Sequence, residues 1–261
     1  MIRVIVTGAA GKMGREVVRA ITAENDMHVV AAVDPAAAGT MLDSGTGDRV
    51  PVQADLADAI ATGNADVLID FTHPTVVEDN LRVALAAGID CVVGTTGIGI
   101  DTLKALAAGA PEGTCLFAAP NFAIGAVLMM RFAAEAARYM PHVEIIELHH
   151  DRKADAPSGT ALRTAALIKE ARREVPPAPG RETEVAEGAR GALVDNVTIH
   201  SVRLPGLVAH QEVLFGGQGQ TLSLRHDSVD RTSFMPGVIL AVREVGSRTG
   251  LVVGLERLMG E

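Results

Sequence analysis

Across residues 1–118, short apolar segments alternate regularly with helical patterns, and few folds accommodate such an alternation. The apolar segments are rich in β-branched residues and span residues 2–7, 29–34, 67–71, 90–94 and 114–118. The segments between them, such as 13–22, 76–87 and 101–108, carry apolar residues near a 3.6-residue period, which indicates helices. Strands separated by helices pair in parallel and are buried on both faces. The pattern therefore predicts an α/β fold with a doubly wound parallel sheet.

The loop after the first predicted strand reads TGAAGKMG, with Gly8, Gly11 and Gly14 spaced three residues apart. Glycines in such a turn let a pyrophosphate approach the backbone, and the helix that follows directs its N-terminal amides at the phosphates. Asp34 ends the second predicted strand 20 residues beyond Gly14, where a carboxylate accepts hydrogen bonds from an adenosine ribose. These features predict a dinucleotide-binding domain of the Rossmann type.

The residues around Asp34 indicate which nicotinamide cofactor binds. Pro35 and Ala36 follow it, and the absence of an arginine that could contact a 2′-phosphate favours NADH. Lys12 places a positive charge in the glycine loop, so NADPH stays open. The turn GTTG at residues 94–97 ends the fourth predicted strand, and its small, hydroxylated residues leave space for a nicotinamide ribose.

The composition excludes several other classes of protein. With 261 residues, 48% of them hydrophobic, the chain can form one large or two modest globular domains. No apolar run approaches the roughly 18 residues of a membrane span, and MIRVIVTG leaves no room for a signal peptide. The net charge of −9 argues against nucleic acid as a partner. Cys91 and Cys115 lie in apolar runs, so we expect reduced thiols and a cytoplasmic protein.

The pattern changes after residue 122 and predicts a second domain of the α+β class. Helical patterns and strands lead to an open, mixed and mostly antiparallel sheet. Its predicted helices are 124–139 and 160–173, and its predicted strands are 143–150, 197–202, 208–215 and 221–227. We expect residues 1–121 to bind the dinucleotide, 122–233 to bind substrate and form oligomers, and 234–261 to return to the first domain. The segment 174–191 is either a mobile lid or a linker.

The densest group of chemically active residues is ELHHDRKADAPSGTA, at residues 147–161. His149 and His150 end a predicted strand, point to opposite faces and are poorly placed to share a metal ion, so we expect no metal site. A loop can bring Lys153 back towards them, while Ser158 is a natural N-cap for the next helix. The first amides of that helix, with nearby cations, would bind a carboxylate. A histidine there can deliver a proton as hydride arrives.

The stretch ELHHDRKADAPSGTA resembles the signature of the 4-hydroxy-tetrahydrodipicolinate reductase family, once called dihydrodipicolinate reductase. The loop GAAGKMG, the turn GTTG, the junction APNF at residues 119–122 and the segment RTSFMPG at 231–237 occur in the order found in that family. The resemblance covers essentially the whole chain. It implies a reductase of lysine and diaminopimelate biosynthesis, assembled as a homotetramer through the second sheet.

The resemblance also implies a substrate and residue roles. The substrate is a cyclic imine dicarboxylate that loses water as NAD(P)H reduces it to tetrahydrodipicolinate. His149 is the implied proton donor, Lys153 assists proton delivery or binds a carboxylate, and His150 contacts substrate. Gly159 and Thr160 bind a substrate carboxylate. The implied cofactor contacts are Gly8, Ala9, Ala10, Gly11, Lys12, Met13, Asp34, Gly94, Thr95, Thr96, Ala119, Pro120, Asn121 and Phe122.

Two alternatives stay open on the residues alone. One is another two-domain nicotinamide reductase, such as an aspartate or homoserine dehydrogenase, which would need its catalytic residues outside 147–161. The other is a regulator that binds NAD(H) and a protein partner, which should carry a DNA-binding helix pair or an exposed basic stripe. Neither feature is evident in the sequence.

Overall fold

A computed structural model describes residues 1–176 and 183–260 of the chain, which divides into two compact units. The first comprises Met1–Phe122 with Phe234–Glu261, and the second comprises Ala123–Ser233. Part of the predicted lid or linker, residues 177–182, lies outside the described residues. Within the described residues, no helix combines the length and the apolar character needed to cross a membrane.

The first unit is built on an eight-stranded sheet in the order β13-β7-β6-β5-β1-β2-β4-β3. Every pair in it is parallel except β3 with β4, as the sequence predicts for a doubly wound sheet. The strands are β1 (Ile2–Thr7), β2 (Met27–Val33), β3 (Met41–Asp43), β4 (Arg49–Gln53), β5 (Val67–Asp70), β6 (Asp90–Val93), β7 (Cys115–Ala118) and β13 (Gly250–Val253). The helices are α1 (Lys12–Ala23), α2 (Leu56–Gly63), α3 (Val77–Ala86), α4 (Ile100–Ala108) and α7 (Met235–Val245).

The centre of this sheet is fully buried, which explains the unbroken apolar runs in the sequence. All four residues of β5 and of β7 are buried, and Ile5, Leu68 and Leu116 belong to one cluster under helices α2, α3 and α4. Each such side chain contributes about 1.5–3 kcal/mol of burial free energy. The chain leaves β1 towards β2 on one side and later reaches β5 on the other, so the strand order reverses at β1 and β5. Ligands of doubly wound sheets bind at such a reversal.

Four elements of the first unit are absent from the sequence prediction: β3, β4, α2 and β13. Strand β3 has three residues, two of them exposed, so it carries no apolar run. Helix α2 is short and begins at Asp55, whose carboxylate accepts the Asp58 amide. Strand β13 is four residues long and pairs with β7 at the sheet edge. Short segments at an edge give too little periodicity for a pattern to be read.

The second unit has a five-stranded sheet in the order β12-β11-β8-β10-β9. Only β8 with β10 is parallel, so the predicted mixed and mostly antiparallel sheet is confirmed. Its strands are β8 (His142–His149), β9 (Ala192–Val194), β10 (Val197–Arg203), β11 (Ala209–Gly217) and β12 (Gln220–Ser228), and its helices are α5 (Ile124–Ala137) and α6 (Gly159–Ala171). The two helices pack against each other, and buried Ile145, Val213 and Ile168 contribute to the core of the unit.

Gly237 in α7 allows a close approach that we expect to limit substitution. A Cβ there would lie 2.0 Å from the Phe122 carbonyl oxygen, which belongs to the backbone and cannot turn aside. We expect Gly237→Ala to lower the free energy of unfolding by about 1–3 kcal/mol in urea denaturation. Gly63→Ala in α2, where a Cβ would meet the Val30 side chain at 3.4 Å, is the control. It should change stability by less than about 1 kcal/mol, and an equal loss in both variants would contradict the prediction.

Candidate active site

The glycine loop between β1 and α1 leaves no room for a side chain at Gly8 or Gly14. Gly8 has φ +68°, and a Cβ on it would lie 2.5 Å from the Phe71 carbonyl oxygen. A Cβ on Gly14 would lie 2.1 Å from the Gly8 carbonyl oxygen. The loop is therefore folded tightly on itself and against the loop after β5. Such a turn leaves room at the strand end for a pyrophosphate, so the residues present fit a dinucleotide.

Helix α1 begins directly after this loop without a side-chain cap. Gly11 is its N-cap and provides no side-chain acceptor, while Lys12 and Met13 form its first turn. Uncapped amides at a helix start attract anions. Arg15, one turn into the helix, donates through Nε to the Ala10 carbonyl at 2.8 Å. This second cation at the loop is missing from the sequence prediction, although its position in the first turns of α1 could have indicated it.

Asp34 connects the end of β2 to the glycine loop. Its carboxylate accepts the Ala10 amide at 3.1 Å and the Ala36 amide at 3.2 Å. Each carboxylate oxygen retains a further lone pair, so Asp34 can still accept from ribose hydroxyls. The negative charge would repel a 2′-phosphate placed at the same point.

The loops after β6 and β7 form one pocket of about 250 Å³ at the carboxyl ends of the strands. It brings together four of the predicted cofactor residues, and apolar side chains form most of the remaining wall. The lining residues are Val93, Thr95, Thr96, Gly97, Ile98, Ile100, Leu103, Ala118, Ala119, Pro120 and Val253. The size and apolar character suit a flat heterocycle such as nicotinamide.

Some of the residues that are predicted to contact the cofactor in these loops also pack or form hydrogen bonds within the protein. A Cβ on Gly94 would lie 2.0 Å from the Phe71 ring, so this position requires glycine. The Phe122 side chain is buried and packs on the rings of Phe71 and Phe117, with centroids 5.7 and 5.9 Å away. The Thr95 hydroxyl accepts from the Thr72 amide at 2.7 Å and donates to Asp70 at 2.6 Å. Contacts of Thr95 and Phe122 with a cofactor would therefore come mainly from the backbone.

In the second unit, the predicted proton donor His149 is held by a buried carboxylate. His149 Nδ1 lies 2.5 Å from Glu147 Oε2. Arg203 donates to both oxygens of the same carboxylate, at 2.9 and 2.8 Å, and the Ser158 amide contacts it at 3.3 Å. Glu147 has no exposed surface, and His149 is only 14% exposed. Two residues apart on a strand, these side chains share a face.

Glu147 and Arg203 are not among the site residues predicted from the sequence, yet they determine the electrostatics around His149. Burial raises the pKa of the Glu147 carboxyl, but hydrogen bonds from His149 and Arg203 outweigh burial and lower it to about 2, against an ordinary value of 4.5. The carboxylate is therefore ionised at neutral pH. The two-residue spacing of Glu147 and His149 on a predicted strand could have revealed the pair; Arg203 lies too far away in sequence for any local signal.

The other predicted residues lie at the end of β8 and the start of α6. Among the described residues, the buried Nδ1 of His150 has no hydrogen-bond partner. A turn joins the Lys153 amide to the His150 carbonyl at 3.2 Å. The Lys153 ammonium donates to Asp155 at 2.7 Å, which lowers the pKa of that carboxyl.

Helix α6 starts as the sequence predicts. Ser158 is the N-cap, and its hydroxyl accepts the Ala161 amide at 3.2 Å. Gly159 and Thr160 form the first turn, and a Cβ on Gly159 would meet nothing within 4 Å. A side chain at position 159 would therefore meet no neighbour at its Cβ. Since the Ser158 amide contacts Glu147, the helix start and the Glu147–His149 pair form one cluster.

Comparison with known families agrees with this geometry. Residues 2–122 match the family described as dihydrodipicolinate reductase, N-terminus, and residues 125–259 match dihydrodipicolinate reductase, C-terminus. The chain belongs to the dihydrodipicolinate reductase family. Membership confirms the predicted family and enzyme class, and the predicted reductase function in lysine and diaminopimelate biosynthesis. Members are pyridine-nucleotide-dependent, with an NAD-binding N-terminal domain.

Individual dihydrodipicolinate reductases are similar to this chain over nearly their full length. The 4-hydroxy-tetrahydrodipicolinate reductase of Syntrophomonas wolfei is 50% identical over 263 residues, 98% of each chain. That of Mycobacterium sp. (strain KMS) is 52% identical over 260 residues, again 98% of each chain. The solved structure of dipicolinate-bound dihydrodipicolinate reductase from Paenisporosarcina sp. TG-14 is 45% identical with a TM-score of 0.86, covering 99% of this chain and 100% of that one.

The low pKa of Glu147 predicts how stability depends on acid. The folded carboxyl titrates at about 2 and the unfolded one near 4.5, so between these values the unfolded chain binds more protons. This contribution to stability is complete above about pH 4.5 and is lost as pH falls towards 2. We expect the free energy of unfolding in urea to decrease over that range, and less steeply in Glu147→Gln.

At pH 7, Glu147→Gln should cost about 3 kcal/mol, because Arg203 stays largely buried without its counter-ion. Glu135→Gln is the matched control, since Glu135 pairs with Arg138 at an exposed helix position. It should cost less than about 1 kcal/mol and leave the acid slope unchanged. If the free energy of unfolding fell equally with pH in wild type and in Glu147→Gln, the role given to the Glu147 carboxylate would be contradicted.

Proposed function

We propose that this chain reduces 4-hydroxy-tetrahydrodipicolinate to tetrahydrodipicolinate with NADH or NADPH, and that NADH is favoured. The observation that carries the proposal is the cluster in which ionised, buried Glu147 holds His149 next to the first turn of α6. A proton donor and an anion-binding helix start in one cluster suit a substrate with carboxylates. The first unit would bind the dinucleotide, and the second would bind substrate.

The substrate carries two carboxylates, and the second unit has groups suited to both. The amides of Gly159 and Thr160 at the start of α6 would bind one of them. His150, whose buried Nδ1 has no partner among the described residues, would donate to the substrate. Lys153 would exchange Asp155 for a substrate carboxylate or assist proton delivery. The Paenisporosarcina relative binds dipicolinate, itself a dicarboxylate, and this supports the substrate class.

His149 would supply the proton. Because Glu147 occupies Nδ1, Nε2 is the nitrogen left to hold and release a proton at the substrate. The Glu147 carboxylate fixes the ring orientation through its contact with Nδ1. When bound, the nicotinamide cofactor supplies the hydride. The net reaction consumes that hydride and one proton and releases water from the hydroxylated carbon.

The preference for NADH rests on Asp34. Its carboxylate accepts two backbone amides and has no arginine partner in the described structure, so nothing there neutralises a 2′-phosphate. Lys12 and Arg15, on the first turns of α1, are the cations that keep NADPH possible. The proposed cofactor contacts otherwise follow the glycine loop and the loops after β6 and β7.

We further propose a homotetramer joined through the second sheet, in the cytoplasm. Most of β12 is exposed within one chain, as are Leu193 and Leu204 near the same sheet. Exposed apolar side chains on a sheet favour an interface. Sedimentation velocity tests the assembly.

The two cysteines support the proposed compartment. Cys91 and Cys115 are free and buried, and burial raises the pKa of the Cys115 thiol to about 11. Unreactive thiols agree with a reducing compartment.

The activity test is NADH or NADPH oxidation followed by absorbance, with substrate generated in place from pyruvate and aspartate semialdehyde by the upstream synthase. We expect His149→Ala and Lys153→Ala each to lower turnover by about 10²–10⁴-fold while NADH binding persists. His142→Ala, at the exposed start of the same strand, and Lys169→Ala on α6 are the matched controls. Both should keep near wild-type turnover.

Two results would count against the proposal. Undiminished turnover in His149→Ala would exclude this histidine as the proton donor. If wild type binds NADH but oxidises neither cofactor with the substrate present, the motif serves another substrate, or the chain only senses the nucleotide. Equal rates with NADH and NADPH would contradict the proposed preference for NADH but not the proposed reductase activity.

A further inference from the structure

Asp70 is a fully buried carboxylate whose hydrogen-bond donors are uncharged. It ends β5 and has no exposed surface. Oδ1 accepts the Thr72 amide at 3.0 Å, the Thr72 hydroxyl at 2.7 Å and the Thr95 hydroxyl at 2.6 Å. Oδ2 accepts the Thr7 hydroxyl and the Asn80 side-chain amide, both at 2.8 Å. Five donors for the roughly four lone-pair sites of a carboxylate leave none of these sites unused.

These donors come from separate pieces of the first unit. Thr7 ends β1, Thr72 follows β5, Thr95 follows β6, and Asn80 lies in α3. Asp70 therefore connects the carboxyl ends of three adjacent strands at the point where strand order reverses. Among its donors, Thr95 lines the pocket formed by the loops after β6 and β7.

Such an arrangement is costly unless each donor is well placed. A buried carboxylate without a cation loses its hydration, and only complete hydrogen bonding offsets that loss. The Thr95 hydroxyl both accepts from the Thr72 amide and donates to Asp70, which fixes the loops after β5 and β6 to each other. An apolar residue would bury more cheaply at this position, so the carboxylate has a use beyond core packing.

We propose that Asp70 is a positioning residue for the nicotinamide half of the cofactor, an inference that rests on the proposed function. The adenosine and pyrophosphate half would be held by the glycine loop and Asp34, which lie after β1 and β2. Thr72 and Thr95 lie on the other side of the reversal, after β5 and β6. Asp70 orders that side, and so presents the Thr95 and Thr96 backbone to the nicotinamide and its ribose.

The test compares two ligands on the purified full chain. Asp70→Asn keeps the shape of the side chain, but its amide meets the Asn80 amide and removes one acceptor. We expect NADH to bind roughly tenfold more weakly, the effect of one unpaired buried group, by fluorescence titration. ADP, which lacks both the nicotinamide and its ribose, should bind within about twofold of wild type by calorimetry, because its half of the site is intact.

A reciprocal exchange of Asp70 and Asn80 distinguishes a positioning role from a general loss of folding. In the double variant Asp70→Asn with Asn80→Asp, the new amide at 70 donates to the new carboxylate at 80, and the Thr7 hydroxyl can turn to accept. NADH affinity should return to within about threefold of wild type. Thr95→Val removes the hydroxyl that accepts from the Thr72 amide and donates to Asp70, and it should show the same selective loss, even if Asp70→Asn does not fold.

Asp66→Asn is the matched control, since Asp66 precedes the other end of β5 and pairs with Arg3. It should leave NADH and ADP affinity unchanged. Equal weakening of both ligands in Asp70→Asn and Thr95→Val, or unchanged NADH affinity in them, would overturn the inference. If wild type itself bound neither NADH nor NADPH, the proposed function would fail instead, so the two failures are distinct.

Discussion

A buried carboxylate at the end of a strand must be surrounded by donors, and this constraint shapes the candidate site in each unit. In the first, Asp70 gathers hydroxyls and amides from three strand ends. In the second, Glu147 gathers His149, Arg203 and the start of α6. Unsatisfied buried charge would cost several kcal/mol, so the loops have little freedom to adopt other positions. Rigid loops at strand ends are what a precise ligand site requires.

The acidic character of the chain is consistent with binding anions because its cations are concentrated locally. The net charge of −9 would repel a dianionic substrate at long range. Near α6, however, Arg203 is already neutralised by Glu147 and Lys153 by Asp155. Partial neutralisation keeps these cations ordered before substrate arrives. In the proposed role of Lys153, a substrate carboxylate would replace Asp155 instead of ordering a mobile side chain.

The sequence predicts the parts of the fold that repeat and the parts of the site that are contiguous. The parallel sheet follows from apolar runs buried on both faces, and the helix start at Ser158 follows from capping chemistry. Strand β13 and the short β3 were missed because edge segments carry little periodicity. Arg203 reaches Glu147 from β10, 56 residues away, and no local pattern indicates such a partner. The sequence predicts Thr95 as a cofactor contact, but no local pattern indicates that its hydroxyl donates to Asp70, 25 residues away.

The different partners of the two carboxylates match the different tasks proposed for them. Asp70 has uncharged donors that keep their protons, so its surroundings stay constant through a reaction. Glu147 faces one permanent cation, Arg203, and one histidine that can gain or lose a proton. With His149 neutral, Arg203 alone balances the Glu147 charge. With His149 protonated, the cluster gains a positive charge, which an anionic substrate would stabilise. In the proposed role of His149 as proton donor, Arg203 would keep the Glu147 charge paired after the proton has left.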